Sequence, residues 1–124
     1  MIAVDTSSLI AYLGGGSGED VELVNEAMAG RGIVLPPVVL AEFLSDHRLS
    51  FPVVVFACGL NMLETSAGYW DRAGRLRAAM ISKGWNVLLA DTLIAQSCID
   101  HDVPLVTRDK GFKAFARHAG LKLV

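Results

Sequence analysis

Short apolar runs alternate with longer stretches of helical spacing along this chain. Five runs have the β-rich composition of buried strands: IAVD at 2–5, IVLP at 33–36, LNMLET at 60–65, VPLVTRD at 103–109 and LKLV at 121–124. The stretches between them place apolar residues three and four positions apart, as one face of a helix requires. Strands that alternate with helices predict a parallel sheet covered by helices, which is an α/β layer architecture.

Three segments need individual interpretation. SAGYWDRAGRLRAAMISKG, at 66–84, predicts a helix capped by Ser66, with an apolar face of Trp70, Ala73, Leu76 and Met80. FPVVVFACG, at 51–59, is apolar throughout and fits a strand or a short helix, and we favour the helix. NVLLAD, at 86–91, has the propensity of a strand, with Asp91 at the start of the following helix.

Composition indicates a single globular domain spanning residues 1–124. The chain is 52% hydrophobic and 19% charged, which suits a sheet buried on both faces. No apolar run reaches the length of about 18 residues that a membrane span needs. No basic segment precedes the first apolar stretch, as an export signal would require. We therefore expect a cytoplasmic protein. Cys58 and Cys98 lack zinc-ligand spacing, and we interpret both as buried small hydrophobic residues.

Charge is distributed unevenly, although the formal net charge is only -2. The first 64 residues carry Arg31 and Arg48 against eight acidic residues. The remaining 60 residues carry nine Lys and Arg against five Asp, which offers a surface to a polyanion. On charge alone, a set of solvated surface charges is the favoured explanation of this asymmetry.

Acidic residues stand at the predicted strand and helix ends. Asp5 and Asp109 each end a strand, and Asp91 begins a helix. Because ligands of open parallel sheets bind beyond the carboxyl ends of the strands, these residues are candidates for one site. Each has a simpler interpretation as a helix N-cap. Glu42 lies off the apolar stripe of its helix, where a surface glutamate is also expected.

Gathered carboxylates require either a proton or a cation, since they repel one another. Oxygen ligands without His or Cys favour Mg²⁺ or Mn²⁺, and such ions suit phosphodiester hydrolysis. The sequence contains no nucleophile elbow, no histidine pair with metal-ligand spacing and no phosphate-binding loop. A metal-dependent phosphoryl chemistry is therefore the leading hypothesis.

Five segments, in order, resemble the PIN-domain family, and in particular the VapC-like toxins of bacterial toxin-antitoxin pairs. They are IAVDTSSLIAYL, LPPVVLAEFL, AGRLRA, LLADTLIAQ and PLVTRDKGF followed by GLKLV. The resemblance implies a three-layer α/β/α fold with a five-stranded parallel sheet ordered 3-2-1-4-5. It also implies an extended loop, in place of a strand, before Asp91.

The same resemblance implies a ribonuclease that uses Mg²⁺ or Mn²⁺. Its acidic site corresponds here to Asp5, Glu42, Asp91 and Asp109. Thr6 and Thr107 match hydroxyl positions that orient carboxylates or water. The candidate contacts to the RNA backbone are Arg72, Arg75, Arg108, Lys110 and Lys113.

Partners follow from the resemblance and from one departure. The family implies a cognate antitoxin that covers the site with a basic group. The segment 51–59 is more apolar than in relatives, and we expect a homodimer partner or the antitoxin to bury it.

Two other functions remain open. A haloacid-dehalogenase-type phosphatase also begins with a strand ending in Asp, but it needs a second Asp where this chain has Ser7. A PIN-like module that binds RNA or an antitoxin without cutting RNA would share most of the features above.

Overall fold

A computed structural model describes residues 1–124 and shows a parallel sheet of four strands. The strands are β1 (Ile2–Val4), β2 (Ile33–Leu35), β3 (Asn61–Met62) and β4 (Leu105–Val106). Their order is β3-β2-β1-β4, with Ala3 paired to Val34 on one side and to Leu105 on the other. The two central strands have no exposed residue, as expected of short apolar runs in a covered sheet.

The expected fifth strand is reduced to a single bridge. Leu105 pairs in parallel with Leu123, since the Leu105 N–H donates to the Lys122 carbonyl at 2.8 Å and the Val124 N–H to the Leu105 carbonyl at 3.1 Å. The prediction of five strands was therefore wrong in number, while the order 3-2-1-4 is confirmed. β4 has only two residues, too short an edge to template a full neighbouring strand.

Helices cover both faces of the sheet and complete the predicted three-layer α/β/α architecture. They are α1 (Thr6–Leu13), α2 (Glu19–Ala29), α3 (Pro37–Leu44), α4 (Phe51–Cys58), α5 (Tyr69–Ser82), α6 (Leu89–His101) and α7 (Lys113–Ala119), with a 3₁₀ turn at Lys110–Phe112. A core of 22 buried residues joins the layers. Within it, the strand residues Val4, Leu35 and Val106 are at most 1% exposed. Pro37 opens α3, where a missing N–H costs nothing.

The start of α5 differs from the prediction. The helix begins at Tyr69, and its N-cap is Gly68 in a left-handed conformation, not Ser66. This register buries Tyr69, whose hydroxyl donates to the Leu93 carbonyl at 2.6 Å, and leaves Trp70 66% exposed. Trp70 was therefore wrongly assigned to the apolar face, because helical periodicity does not reveal which aromatic residue starts the helix.

Residues 51–59 form a helix as predicted, and residues 85–88 form a loop as the resemblance implied. Cys98 is buried, whereas Cys58 is exposed at the end of α4, which corrects the prediction for that residue. Phe51, Val55 and Phe56 are also exposed on α4. None of the helices combines the length and the apolar character that crossing a membrane would require.

Candidate active site

Asp5 directly follows the last residue of β1, and its carboxylate is buried, since only 4% of the residue is exposed. Its Oδ2 atom accepts hydrogen bonds from Ser7 Oγ and from Thr107 Oγ1, both at 2.8 Å. Asp5 occupies the N-cap position of α1, yet its side chain makes no capping hydrogen bond. The N-cap interpretation therefore does not explain this carboxylate, which is held by hydroxyl groups at the sheet edge.

Thr107 connects the ends of β1 and β4. Its hydroxyl donates to Asp5 and accepts the backbone N–H of Asp109 at 3.0 Å. Asp109 Oδ1 in turn accepts the Gly111 N–H at 2.8 Å, so for this residue the capping interpretation is correct. A Cβ on Gly111 would stand 3.1 Å from Asp109 Oδ1 and 3.8 Å from Asp91 Oδ2, which places the two carboxylates around the same small space.

Glu42 and Asp91 reach the site from two helices. Glu42 is an exposed residue of α3, and its Oε1 accepts the Thr6 hydroxyl at 2.7 Å. Asp91 is the third residue of α6, since that helix begins at Leu89 with Leu88 as N-cap. The expectation that Asp91 begins the helix was wrong by two residues. A carboxylate in the first turn still gains from the positive end of the helix dipole.

The four carboxylates share one electrostatic environment. Burial, together with the charges of Asp109, Asp5 and Glu42, raises the pKa of Asp91 to about 6. None of the five ion pairs in the structure involves these four residues. The site therefore concentrates negative charge without a cation of its own.

An all-oxygen donor set with uncompensated charge fits Mg²⁺ or Mn²⁺. No three His, Cys, Asp or Glu side chains lie in an arrangement that would by itself enclose a metal ion. An ion of this type needs only one or two carboxylates and retains several waters, so an open ligand arrangement satisfies it.

A cleft of about 470 Å³ opens beside Asp91 and Asp109. Its other walls come from the loop before α6 and from the residues after β4: Trp85, Asn86, Val87, Leu88, Lys110, Gly111, Lys113, Ala114 and Arg117. Asp5 and Glu42 do not line it. Asp91 and Asp109 thus share this cleft with aromatic and basic side chains.

The predicted basic residues separate into two groups. Lys110 and Lys113 line the cleft and make no ion pair. Arg72 is paired with Asp100 at 2.6 Å and Arg108 with Asp20 at 2.8 Å, while Arg75 is paired with Asp71. The structure does not bring these three arginines to the cleft, which leaves their predicted RNA contacts without structural support.

The sequence interpretation missed two participants. The sequence interpretation mentioned Ser7 only because a phosphatase would have an aspartate there, whereas its hydroxyl donates to Asp5. Its position two residues after Asp5 is the signal that could have identified it. Arg117 lines the cleft one helical turn after Lys113. A helical wheel of α7 places these two residues on one face.

Comparisons with known proteins decide the family. The family model described as PIN domain matches residues 2–118. The chain belongs to the PIN-domain family. Residues of the match include Asp5, Glu42, Asp91 and Asp109, so all four carboxylates fall within the PIN domain.

Solved structures with the same fold support this assignment. This PIN domain is similar to a chain of VapBC2 from Rickettsia felis, solved bound to a promoter DNA fragment, with 25% identity, a TM-score of 0.75, and coverage of 100% of this chain and 98% of that chain. FitAcB from Neisseria gonorrhoeae has 18% identity and a TM-score of 0.72, with 99% and 96% covered. VapBC-5 from Mycobacterium tuberculosis has 18% identity and a TM-score of 0.67, with 99% and 96% covered. No curated protein gives a significant match.

Proposed function

We propose that this PIN domain, acting as one unit over residues 1–124, is a metal-dependent ribonuclease. One observation carries the proposal: Asp91 is partly buried beside three further carboxylates and no cation, and burial together with these charges raises its pKa to about 6. A structural carboxylate in this protein pairs with an arginine, whereas these four do not. Such an arrangement is unfavourable unless a divalent cation binds there.

Asp5, Glu42, Asp91 and Asp109 are the residues that would hold Mg²⁺ or Mn²⁺. A bound ion supplies an activated water and neutralises charge on the phosphodiester. Thr6 holds Glu42, while Ser7 and Thr107 hold Asp5, each through a hydroxyl donor. These hydrogen bonds fix the carboxylates in orientation before the substrate arrives, which reduces the reorganisation that binding requires.

Lys110, Lys113 and Arg117 bind the RNA backbone. All three line the cleft that begins at Asp91 and Asp109, and none is neutralised by an ion pair. Their charge attracts phosphates toward an acidic site that would otherwise repel them. RNA bound along this cleft would present a phosphate to the carboxylate end.

We also propose that the protein is the VapC-like toxin of a toxin-antitoxin pair. Its structural neighbours are proteins of VapBC and related toxin-antitoxin complexes. A cognate antitoxin, a homodimeric state and a cytoplasmic location belong to the same proposal. The exposed apolar side chains of Phe51, Val55 and Phe56 on α4 offer surface for one of these protein contacts.

RNA cleavage by the purified protein tests the enzymatic part. A folded RNA should be cut with Mn²⁺ present and remain intact with a chelator. Asp5→Asn and Asp91→Asn should each lower the rate by about 100-fold or more, because each removes a ligand charge at the site. Asp71→Asn is the matched control, since Asp71 is an exposed aspartate paired with Arg75 outside the site.

A binding module without nuclease activity is the second candidate. The observation that favours it is the open arrangement of the acidic side chains, no three of which enclose a metal ion. This candidate predicts equal RNA binding with Mn²⁺ and with chelator, and no cleavage in either case. Wild-type activity retained by Asp5→Asn would contradict the assignment of the site itself.

A further inference from the structure

The cleft beside the acidic site contains an exposed tryptophan that the proposed chemistry does not use. Trp85 lines this cleft together with Leu88, Lys113 and Arg117, and it is 39% exposed. The cleft volume of about 470 Å³ is that of a small-molecule pocket. Because the residue is only partly exposed and lies within the cleft, part of the indole surface is available to a ligand there.

Local hydrogen bonds hold Trp85 in place. Its backbone N–H donates to the Met80 carbonyl at 3.0 Å, just after the chain turns at Gly84 with a φ of +88°. Val87 lies two residues after Trp85, and its carbonyl accepts a hydrogen bond from Arg77 Nε at 3.2 Å. The loop before α6 is therefore fixed to the end of α5, which places residue 85 at the cleft.

An aromatic neighbour supports the indole from α7. The rings of Trp85 and His118 have centroids 5.5 Å apart and planes inclined by 42°. This contact restricts the indole while its remaining surface stays open to the cleft. A rigid aromatic surface of this kind loses little conformational entropy when a flat ligand stacks on it.

The charges around the indole select the ligand. Lys110, Lys113 and Arg117 line the same cleft and make no ion pair. Cationic side chains interleaved with an aromatic surface are the recognition pattern of single-stranded nucleic acid, in which the base stacks and the phosphates meet the cations. A base that is paired in a duplex cannot present its face in this way.

We propose that Trp85 is a base-stacking platform that binds an unpaired nucleobase in the cleft beside Asp91 and Asp109. The inference rests on the proposed ribonuclease function and adds the residue that selects unpaired RNA. Lys113 and Arg117, one helical turn apart on α7, contact the phosphates on either side of the stacked base.

Tryptophan fluorescence provides a direct readout, because the chain contains only Trp70 and Trp85. Trp70→Phe leaves Trp85 as the single tryptophan and changes a residue that is 66% exposed and absent from the cleft. Single-stranded hexaadenylate and hexauridylate, titrated in chelator so that no RNA is cut, should quench the emission of this variant. A blunt RNA duplex should quench it little. Absence of quenching by single strands, or equal quenching by the duplex, would overturn the proposal.

Affinity measured by anisotropy of a labelled hexanucleotide gives the energetic test. Trp85→Ala should weaken binding by about 5-fold to 100-fold, the range for loss of one stacked base. Trp85→Phe should retain part of the affinity and serves as the variant that preserves packing against His118. Trp70→Ala is the matched control and should bind as the wild type does. Equal affinity of Trp85→Ala and Trp70→Ala would contradict the platform.

The two proposals fail in different ways. If Trp85 is quenched by single strands but no RNA is ever cut with Mn²⁺, the nuclease is wrong and the platform stands. If RNA is cut and Trp85→Ala cuts and binds normally, the platform is wrong and the nuclease stands. Quenching by aromatic peptides and not by RNA would assign the cleft to a protein partner and overturn the inference.

Discussion

Two groups of aspartates in this protein have opposite electrostatic environments. Asp20 and Asp100 each pair with an arginine, and hydrogen bonding by Arg108 lowers the pKa of Asp20 to about 2. Hydrogen bonding by Arg72 likewise lowers the pKa of Asp100. Asp91 has no such partner, and burial raises its pKa to about 6, assisted by neighbouring carboxylates.

The difference separates the ion-paired aspartates from the carboxylates of the candidate site. Arg72 ties α5 to Asp100 on α6, and Arg108 ties the segment after β4 to Asp20 on α2, so these pairs hold elements together. The four carboxylates at the sheet edge have no ion-pair partner and repel one another, although Asp5, Glu42 and Asp109 accept hydrogen bonds. Their interaction is favourable only with a cation from outside the chain.

Metal binding should give the largest effect on stability. At a Mn²⁺ concentration 100 times the dissociation constant, the free energy of unfolding should increase by about 2.7 kcal/mol. The increase should weaken as the pH falls through about 6, because Asp91 then takes up a proton. Thermal unfolding with and without Mn²⁺ measures this, and an equal increase in Asp5→Asn would place the ion elsewhere.

Loss of a structural carboxylate should come next. Asp100→Ala should lower the free energy of unfolding by about 2 kcal/mol, since it removes the ion pair with Arg72 and leaves the buried Gln96 amide without its acceptor. Urea denaturation gives the value. Metal-dependent activity per folded molecule should stay unchanged, and a loss of activity would show that the two groups of aspartates are coupled.

Asp91→Asn should stabilise the metal-free protein at pH 7. The pKa of Asp91 is about 6 in the folded state against 3.8 for the ordinary carboxyl, so the folded state binds more protons between these values. Stability due to this group is therefore complete below about pH 4 and is lost as the pH rises through 6. With allowance for solvent screening, the gain at pH 7 should be about 1.5 kcal/mol and should vanish at pH 4. A pH series of urea denaturation in chelator measures it, and a gain that persisted at pH 4 would exclude a charge effect.

The smallest effect should come from an exposed pair. Asp71 and Arg75 are 2.9 Å apart, but their side chains are 64% and 80% exposed. Asp71→Ala should leave the free energy of unfolding within about 0.5 kcal/mol of the wild type, because water screens such a pair. A larger change would indicate that exposure does not distinguish the two kinds of ion pair in this protein.

Much of the fold could be predicted from the sequence because apolar periodicity reports burial. The helix at 51–58 agrees with the structure. The order of the first four strands and the loop at 85–88 also agree, but both were implied by the resemblance to PIN domains, and strand propensity alone was wrong for 86–91. The fifth strand could not be predicted correctly, since LKLV has strand composition but pairs through Leu123 alone. The exposure of Cys58 and Trp70 depends on tertiary packing, which a local pattern does not contain.

The sequence could indicate which acidic residues belong to the candidate site, but not which basic residues stand beside it. Aspartates at strand ends follow from topology, so the placement of Asp5 and Asp109 on one sheet edge could be expected. Charge alone did not distinguish Lys113, which is free at the cleft, from Arg72 and Arg108, which are paired. That distinction depends on partners 28 and 88 residues away in the chain.

The hydroxyl of Thr107 has a consequence for how this edge tolerates mutation. The hydroxyl donates its one hydrogen bond to the Asp5 carboxylate and accepts a hydrogen bond from the backbone N–H of Asp109. It is therefore the donor to one acidic residue and the acceptor for the other. Serine preserves this directionality, whereas valine, of nearly the same shape, abolishes both bonds. The hydroxyl therefore links the two acidic residues to each other, while the bond from the Asp5 N–H to the Val106 carbonyl and the contacts of Ser7 join the two segments independently of it.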